Sequence, residues 1–128
     1  MRPRLVWPAL AVLALAACSP PVDPGKVQPV EAAQLAATFE AGNVRLIDVR
    51  SDREVAEGMI PGAEHIPIDQ FDPARLDLSD GRVVVFYCHS GRRSARAAEQ
   101  LSNLTGKKER HLDGGIEAWQ AAGLPVSR

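Results

Sequence analysis

The sequence predicts an α/β fold in which a small parallel sheet carries helices on both faces. Residues 82–87 (R-V-V-V-F-Y) form a continuous apolar run, which is typical of a strand buried on both sides. Such runs alternate with segments of helical spacing, and strands joined through helices form a parallel sheet with right-handed crossovers. The chain has 128 residues, 45% of them apolar and 24% charged, which is typical of one soluble domain.

The first predicted elements lie before the central strand. A short edge strand is expected near Val27. A helix follows, because apolar residues recur at helical spacing up to Gly42, a good residue for a helix end. These residues are Ala32, Leu35, Ala36 and Phe39. Residues 44–49 (V-R-L-I-D-V) are predicted as a strand. The proline-containing stretch 60–78 is predicted as mostly loop, with a strand at 64–66 and one helical turn.

Two helices and a strand are predicted after the central strand. The first helix covers 92–104 and ends before Gly106, with its apolar residues on one face. A short strand is expected at 110–112. The last helix is predicted to start at Asp113 as its N-cap and to end before Gly123.

The first residues predict an export signal that is not part of the fold. Arg2 and Arg4 precede an apolar stretch that ends in small residues, so residues 1–17 are predicted to be a cleaved signal peptide. A transmembrane anchor is the alternative. A membrane-spanning helix needs about 20 apolar residues, and this stretch is shorter and contains Pro8.

Residues 15–18 (L-A-A-C) resemble the lipobox of bacterial lipoproteins, where the signal is cut before a cysteine whose thiol receives a diacylglycerol. The resemblance implies that Cys18 is a lipid-anchored mature N-terminus on the periplasmic side of a bacterial membrane. Ser19 stands where Asp would signal inner-membrane retention, which favours the outer membrane. The Pro-rich residues 18–29 are predicted to be an extended tether without core contacts, and residues 30–128 to be the folded domain.

The chain has two cysteines, and in an exported protein an even count usually indicates a disulfide. Acylation of Cys18 would instead leave Cys88 as the single free thiol in an oxidising compartment. Such a thiol is either packed as a small inert hydrophobe or reactive.

The position of Cys88 favours reactivity. It follows the central strand and opens a loop that enters the helix at Arg92, and ligands of parallel sheets bind outside the carboxyl ends of the strands. Unpaired amides at a helix start favour a thiolate over a thiol and can hold an anion. Gly91 permits backbone angles that turn successive amides inward.

The charges near this loop are basic. Arg92, Arg93 and Arg96 follow Cys88, and no carboxylate lies between residues 81 and 98. We therefore expect a local positively charged surface around the loop, without a nearby carboxylate, on a chain of formal net charge -1. No long basic run is present, so the sequence gives no reason to expect nucleic acid as a partner.

These residues carry a resemblance to a known family. The loop C-H-S-G-R-R-S over 88–94 resembles the C-x-x-G-x-R-S active-site loop of single-domain rhodaneses. Other family motifs are matched in order between about residues 27 and 126. They are Asp48-Val49-Arg50, Glu54 with 60–63 (I-P-G-A) and 66–67 (I-P), 113–119 (D-G-G-I-E-A-W) and 123–126 (G-L-P-V). Met59 replaces the His that is common before I-P-G-A.

The resemblance implies a sulfurtransferase enzyme, and no cofactor or metal is expected. Cys88 would take sulfane sulfur from thiosulfate or a related small anion as a persulfide, and pass it to cyanide, a small thiol or a protein thiol. By residue match, the persulfide and the leaving anion would be held by the loop residues His89, Ser90, Gly91, Arg92 and Arg93. Loop support is expected from Asp48, Arg50 and Ser94.

Two alternatives stay open, and a third, a zinc site, is disfavoured. A cysteine phosphatase or arsenate reductase shares the fold, but its chemistry needs an Arg six residues after the Cys, where this chain has Ser94. A second alternative is a module of the same fold that relays or binds a persulfide without turning over thiosulfate. A zinc site formed by Cys88, His65, His89 and His111 lacks the usual ligand spacing.

Overall fold

The computed structural model describes Pro3 and residues 20–128. The predicted signal peptide, Pro3 apart, lies outside the described residues, as do Cys18 and Ser19. The strands and α-helices of residues 20–128 are, in chain order, β1 (Val27–Val30), α1 (Ala32–Glu40), β2 (Val44–Asp48), α2 (Asp52–Ala56), β3 (Glu64–His65), β4 (Val83–Tyr87), α3 (Arg92–Thr105), β5 (Glu109–Leu112) and α4 (Gly115–Ala121). One 3₁₀ turn, Pro73–Arg75, lies between β3 and β4.

The five strands form one parallel sheet in the order β1-β5-β4-β2-β3. The strand predicted to be central, β4, is in the middle and pairs with β2 and β5. Helices cover both faces of the sheet, so the predicted α/β fold is confirmed. None of the helices in the described ranges is long and apolar enough to cross a membrane.

The side chains of β4 alternate between two apolar cores. Val85 and Tyr87 pack with α1 and α4 on one face, while Val84 and Phe86 pack with α3 on the other. Phe86 also meets Phe71 edge to face, with ring centroids 5.1 Å apart. Each fully buried side chain of this size contributes about 1.5–3 kcal/mol, so the carboxyl end of β4 is held firmly from both faces.

The segment before β1 contacts the domain. Val22 packs against the core on the α3 face, and the amide of Asp23 donates to the Glu99 carboxylate at 2.7 Å. Lys26 Nζ donates to Asn103 at 2.8 Å. The edge strand expected near Val27 is confirmed, but the expectation of a tether without core contacts over 18–29 is wrong from Val22 onward.

Helix α2 is absent from the sequence prediction, although its start carries a recognisable pattern. Ser51 Oγ accepts from the Glu54 amide at 3.3 Å, and the Glu54 carboxylate accepts from the Ser51 amide at 3.4 Å. This is a capping box, which satisfies two amides at a helix start. With five residues, the helix is too short to show a hydrophobic period.

Candidate functional site

Cys88 directly follows β4 and is 1% exposed. Its Sγ accepts a hydrogen bond from the Gly91 amide at 3.1 Å. Gly91 has a φ of 107°, a backbone conformation that residues other than glycine rarely adopt. The glycine therefore makes the turn that points an N–H at the sulfur, and this N–H stabilises negative charge on the sulfur.

Helix α3 begins immediately after this turn, with Gly91 as its N-cap and no side chain capping it. The amides of its first turn have no partner within the helix, and they carry the positive end of the helix dipole. No acidic residue occupies that turn. The predicted arrangement of Cys88 at the start of a helix is thus present, and it suits an anion on or beside the sulfur.

Ser94 and His111 extend the contacts of the sulfur into the domain. The Sγ of Cys88 lies 3.5 Å from the Ser94 hydroxyl oxygen. That hydroxyl lies 3.2 Å from the Gly91 carbonyl oxygen and 3.0 Å from Nδ1 of His111. Burial lowers the pKa of His111, against the opposing effect of Asp113. Ser94 therefore lies where loop support is predicted, and His111 is an additional member of the site.

The Arg93 side chain of this positively charged surface is paired with a carboxylate. Its guanidinium donates two hydrogen bonds to the Glu54 carboxylate, at 2.7 and 2.9 Å. The hydrogen bond from Arg93 lowers the pKa of Glu54 to about 2, so the pair stays ionised at neutral pH. The expectation that the arginines have no nearby carboxylate is wrong for Arg93, because α2 brings Glu54 to the loop from 39 residues away.

The remaining charges near the loop are distributed unevenly. His89 is exposed and lies 2.9 Å from Glu117 of α4. Arg92 and Arg96 are exposed, and neither forms a salt bridge within residues 20–128. Among these three arginines, Arg92 and Arg96 are therefore the ones whose charge no carboxylate of residues 20–128 balances, while the charge of Arg93 is balanced by Glu54.

Asp48 and Arg50 form a buried ion pair at the carboxyl end of β2. The Asp48 carboxylate accepts from Nη2 of Arg50 at 2.7 Å and from the Arg50 amide at 2.9 Å. Arg50 Nη2 also donates to the Gly58 carbonyl oxygen at 2.7 Å, and the guanidinium lies 5.7 Å from the ring centroid of Tyr87. The pair thus joins the end of β2 to the residue before Cys88, which fits a supporting role.

Helix α4 begins against the cysteine loop. The amides of Ile116 and Glu117 donate to the carbonyl oxygens of Cys88 and His89, at 2.9 and 3.3 Å. A Cβ at Gly115 would lie 2.3 Å from the His89 carbonyl oxygen, so only glycine permits this approach. The predicted N-cap, Asp113, is wrong: Gly114 is the N-cap, and backbone carbonyls of the loop satisfy the helix amides instead of a side chain.

A pocket of about 320 Å³ opens beside the loop, between α2, α4 and the C-terminal residues. Its lining includes His89 and Ile116 next to the cysteine loop, and also Arg50 and Glu57. The pocket is large enough for a small molecule next to the cysteine loop.

The three histidines named for a zinc site have other hydrogen-bonding partners. His65 contacts the Arg50 carbonyl oxygen at 2.8 Å, while His89 faces Glu117 and His111 faces Ser94. In the part of the chain that the structure describes, no three His, Cys, Asp or Glu side chains are grouped to hold a metal.

Comparison with known proteins identifies the family. Residues 31–122 match the model of the rhodanese-like domain. A protein named sulfurtransferase from Allochromatium vinosum is 38% identical over 84 residues, which are 66% of this chain and 78% of that protein. An uncharacterized protein of Synechocystis, slr1261, is 38% identical over 83 residues, which are 65% of this chain and 46% of slr1261. The chain therefore spans about half the length of slr1261.

Solved structures show the same architecture. A rhodanese-related protein from Thermoplasma volcanium superposes with a TM-score of 0.68 at 30% identity, over 78% of this chain and 97% of that one. RPA3614 of Rhodopseudomonas palustris, named a protein of unknown function and possible tyrosine phosphatase, has a TM-score of 0.68 at 29% identity, over 79% and 85% of the two chains.

Proposed function

Because this chain belongs to the rhodanese-like domain family, we propose that it is a sulfurtransferase that carries sulfane sulfur on Cys88 as a persulfide. The observation that carries the proposal is the Gly91 amide, which lies 3.1 Å from Sγ at the start of α3. An amide in this position stabilises both a thiolate and a persulfide anion.

The reaction has two displacements. The Cys88 thiolate attacks the outer sulfur of thiosulfate, a bond forms between Sγ and that sulfur, and sulfite leaves with the electron pair of the broken S–S bond. An acceptor thiolate or cyanide then attacks the outer sulfur of the persulfide. The bond to Sγ breaks, and Cys88 returns to the thiolate.

A small anionic donor fits the surroundings of the sulfur. Cys88 is 1% exposed, which favours a small donor over a bulky one. The amides from His89 to Arg93 would hold the sulfite group as it leaves, and Arg92 adds positive charge at the surface. The pocket beside His89 offers room for a small thiol acceptor.

The other activities of this fold fit the site less well. A phosphatase would need a guanidinium where this chain has the buried Ser94, and the neighbouring Arg93 is bound to Glu54. A relay that loads from a partner's persulfide uses the same Cys88 chemistry, and it differs only in the donor.

The test is intact-mass measurement of the full chain after incubation with thiosulfate and removal of the excess. We expect one added sulfur atom, located by peptide mass on residues 83–92 and removed by cyanide with formation of thiocyanate. A protein that gains no sulfur from thiosulfate, but gains it from a protein persulfide, would be the relay. A protein that gains sulfur from neither would contradict the proposal.

We further propose that the chain is exported and lipid-anchored at Cys18, on the periplasmic side of a bacterial membrane. Cys18→Ala should remove the diacylglycerol mass and release the protein from the membrane fraction. Sulfur transfer should be retained, because Cys18 precedes Val22, the first of residues 20–128 that packs against the core. Wild-type protein that carries no acyl group when expressed in a bacterium with lipoprotein processing would contradict this proposal.

A further inference from the structure

The hydrogen bonds around Cys88 form a continuous path to a buried imidazole. Ser94 Oγ lies between Sγ at 3.5 Å and Nδ1 of His111 at 3.0 Å. Ser94 is fully buried and His111 is 8% exposed, so the protein itself supplies the partners of this hydroxyl. A hydroxyl has one proton to donate and can accept at the same time, so it can pass a proton from one neighbour to the other.

We propose that Ser94 and His111 form a proton relay that takes the thiol proton of Cys88 and so prepares the thiolate for attack. The S–H proton moves to Ser94 Oγ while the Ser94 hydroxyl proton moves to Nδ1 of His111. The products are a Cys88 thiolate, a neutral Ser94 and a His111 imidazolium. The inference rests on the proposed function of Cys88 as the sulfur carrier, and His111 is a positioning residue because it acts through Ser94.

Both ends of the relay are hydrogen-bonded before and after the transfer. With neutral His111 in the tautomer whose Nδ1 carries no proton, the thiol donates to Ser94 Oγ. The Ser94 hydroxyl then donates to Nδ1 at 3.0 Å instead of to the Gly91 carbonyl oxygen at 3.2 Å. With the imidazolium, Nδ1–H donates to Ser94 Oγ and the Ser94 hydroxyl donates to the thiolate, which also keeps the Gly91 amide. The two states differ in the positions of two protons, with the heavy atoms in place.

The surroundings of His111 suit a group that starts neutral. Its strand neighbours are Phe86 of β4 and Pro29 of β1, neither of which is charged. From α3 it meets Ser94, and a Cβ at Gly91 would lie 3.6 Å from its Cε1. Burial lowers the pKa of His111, and the one charged group that opposes this is Asp113 in the loop after β5. Burial therefore favours a neutral imidazole before the transfer. It also disfavours the imidazolium, so the proton is accepted together with formation of the neighbouring Cys88 thiolate, whose negative charge offsets that cost.

The test is the alkylation rate of Cys88 against pH, read by mass on the peptide that contains it, in the full chain. His111→Asn keeps an amide near Nδ1 but cannot take up a proton, and Ser94→Ala removes the link. In each variant we expect the midpoint of the profile to move upward by about one pH unit. The double variant should move no further than either single one, because both changes break one path.

Matched variants separate this relay from a packing effect. Ser102→Ala removes another buried hydroxyl of α3, and His65→Asn removes another hydrogen-bonded imidazole, so both should leave the profile unchanged. The relay would be overturned if Ser94→Ala and His111→Asn fold and show the wild-type alkylation profile. It would also be overturned if the two midpoint shifts add in the double variant. If His111→Asn does not fold, His111→Gln takes its place, because Ser94→Ala also removes the direct hydrogen bond to Sγ and does not isolate the imidazole.

The relay and the proposed function fail separately. A wild-type chain that gains no sulfur, while its alkylation profile shifts in the variants, removes the sulfurtransferase and keeps the relay. A wild-type chain that gains sulfur, while the alkylation profiles of the variants are unshifted, keeps the sulfurtransferase and removes the relay.

Discussion

Replacement of Cys88 by serine is expected to abolish sulfur transfer, with a loss on the order of 10³-fold or more in kcat/KM. Serine keeps the Gly91 amide and Ser94 as neighbours, but its hydroxyl stays protonated and cannot hold a persulfide. The measurement is thiocyanate formation from thiosulfate and cyanide, together with the intact mass of the loaded protein.

The same variant separates catalysis from packing. Cys88 belongs to the core on the α3 face and is 1% exposed, so a purely structural cysteine would lose stability and little else. We expect the free energy of unfolding to change by about 1 kcal/mol, because a serine oxygen finds the same hydrogen-bonding partners. Transfer by a folded Cys88→Ser at the wild-type rate would place the chemistry elsewhere and contradict the mechanism.

The strands and the longer helices were predictable because their signals are local. The apolar run of β4 and the helical spacing in α1 and α3 depend on residues within one element. The elements that differ from the prediction depend on contacts instead. Helix α2 is only one and a half turns long, so its sequence shows no helical period. The start of α4 is set by the carbonyl oxygens of Cys88 and His89, and the residues around Asp113 give no sign of these distant partners.

The candidate site divides in the same way. Cys88, Gly91 and the helix start are contiguous, so one motif predicts them. The partners of Arg93 and Ser94 are 39 and 17 residues away, and their identity depends on how the sheet places α2 and β5 beside the loop. The capping-box spacing of Ser51 and Glu54 was a usable signal for α2. For His111, the usable signal was its place at the carboxyl end of the strand predicted at 110–112.

Asp48→Asn is expected to lower the free energy of unfolding by about 3–5 kcal/mol, a large share of the stability of a small domain. The Asp48 side chain is 0% exposed and that of Arg50 is 5% exposed. The substitution keeps the shape of the carboxylate but leaves the Arg50 guanidinium buried without its counter-charge. Urea unfolding at pH 7 measures the change.

A second ion pair provides the control for this prediction. Glu64 and Arg45 are 2.6 Å apart, but their side chains are 42% and 15% exposed, so Glu64→Gln should cost no more than about 1 kcal/mol. The double variant Asp48→Asn/Arg50→Met removes both buried charges, and it should be more stable than Asp48→Asn alone. Equal costs for Asp48→Asn and Glu64→Gln would show that the buried pair does not hold the end of β2.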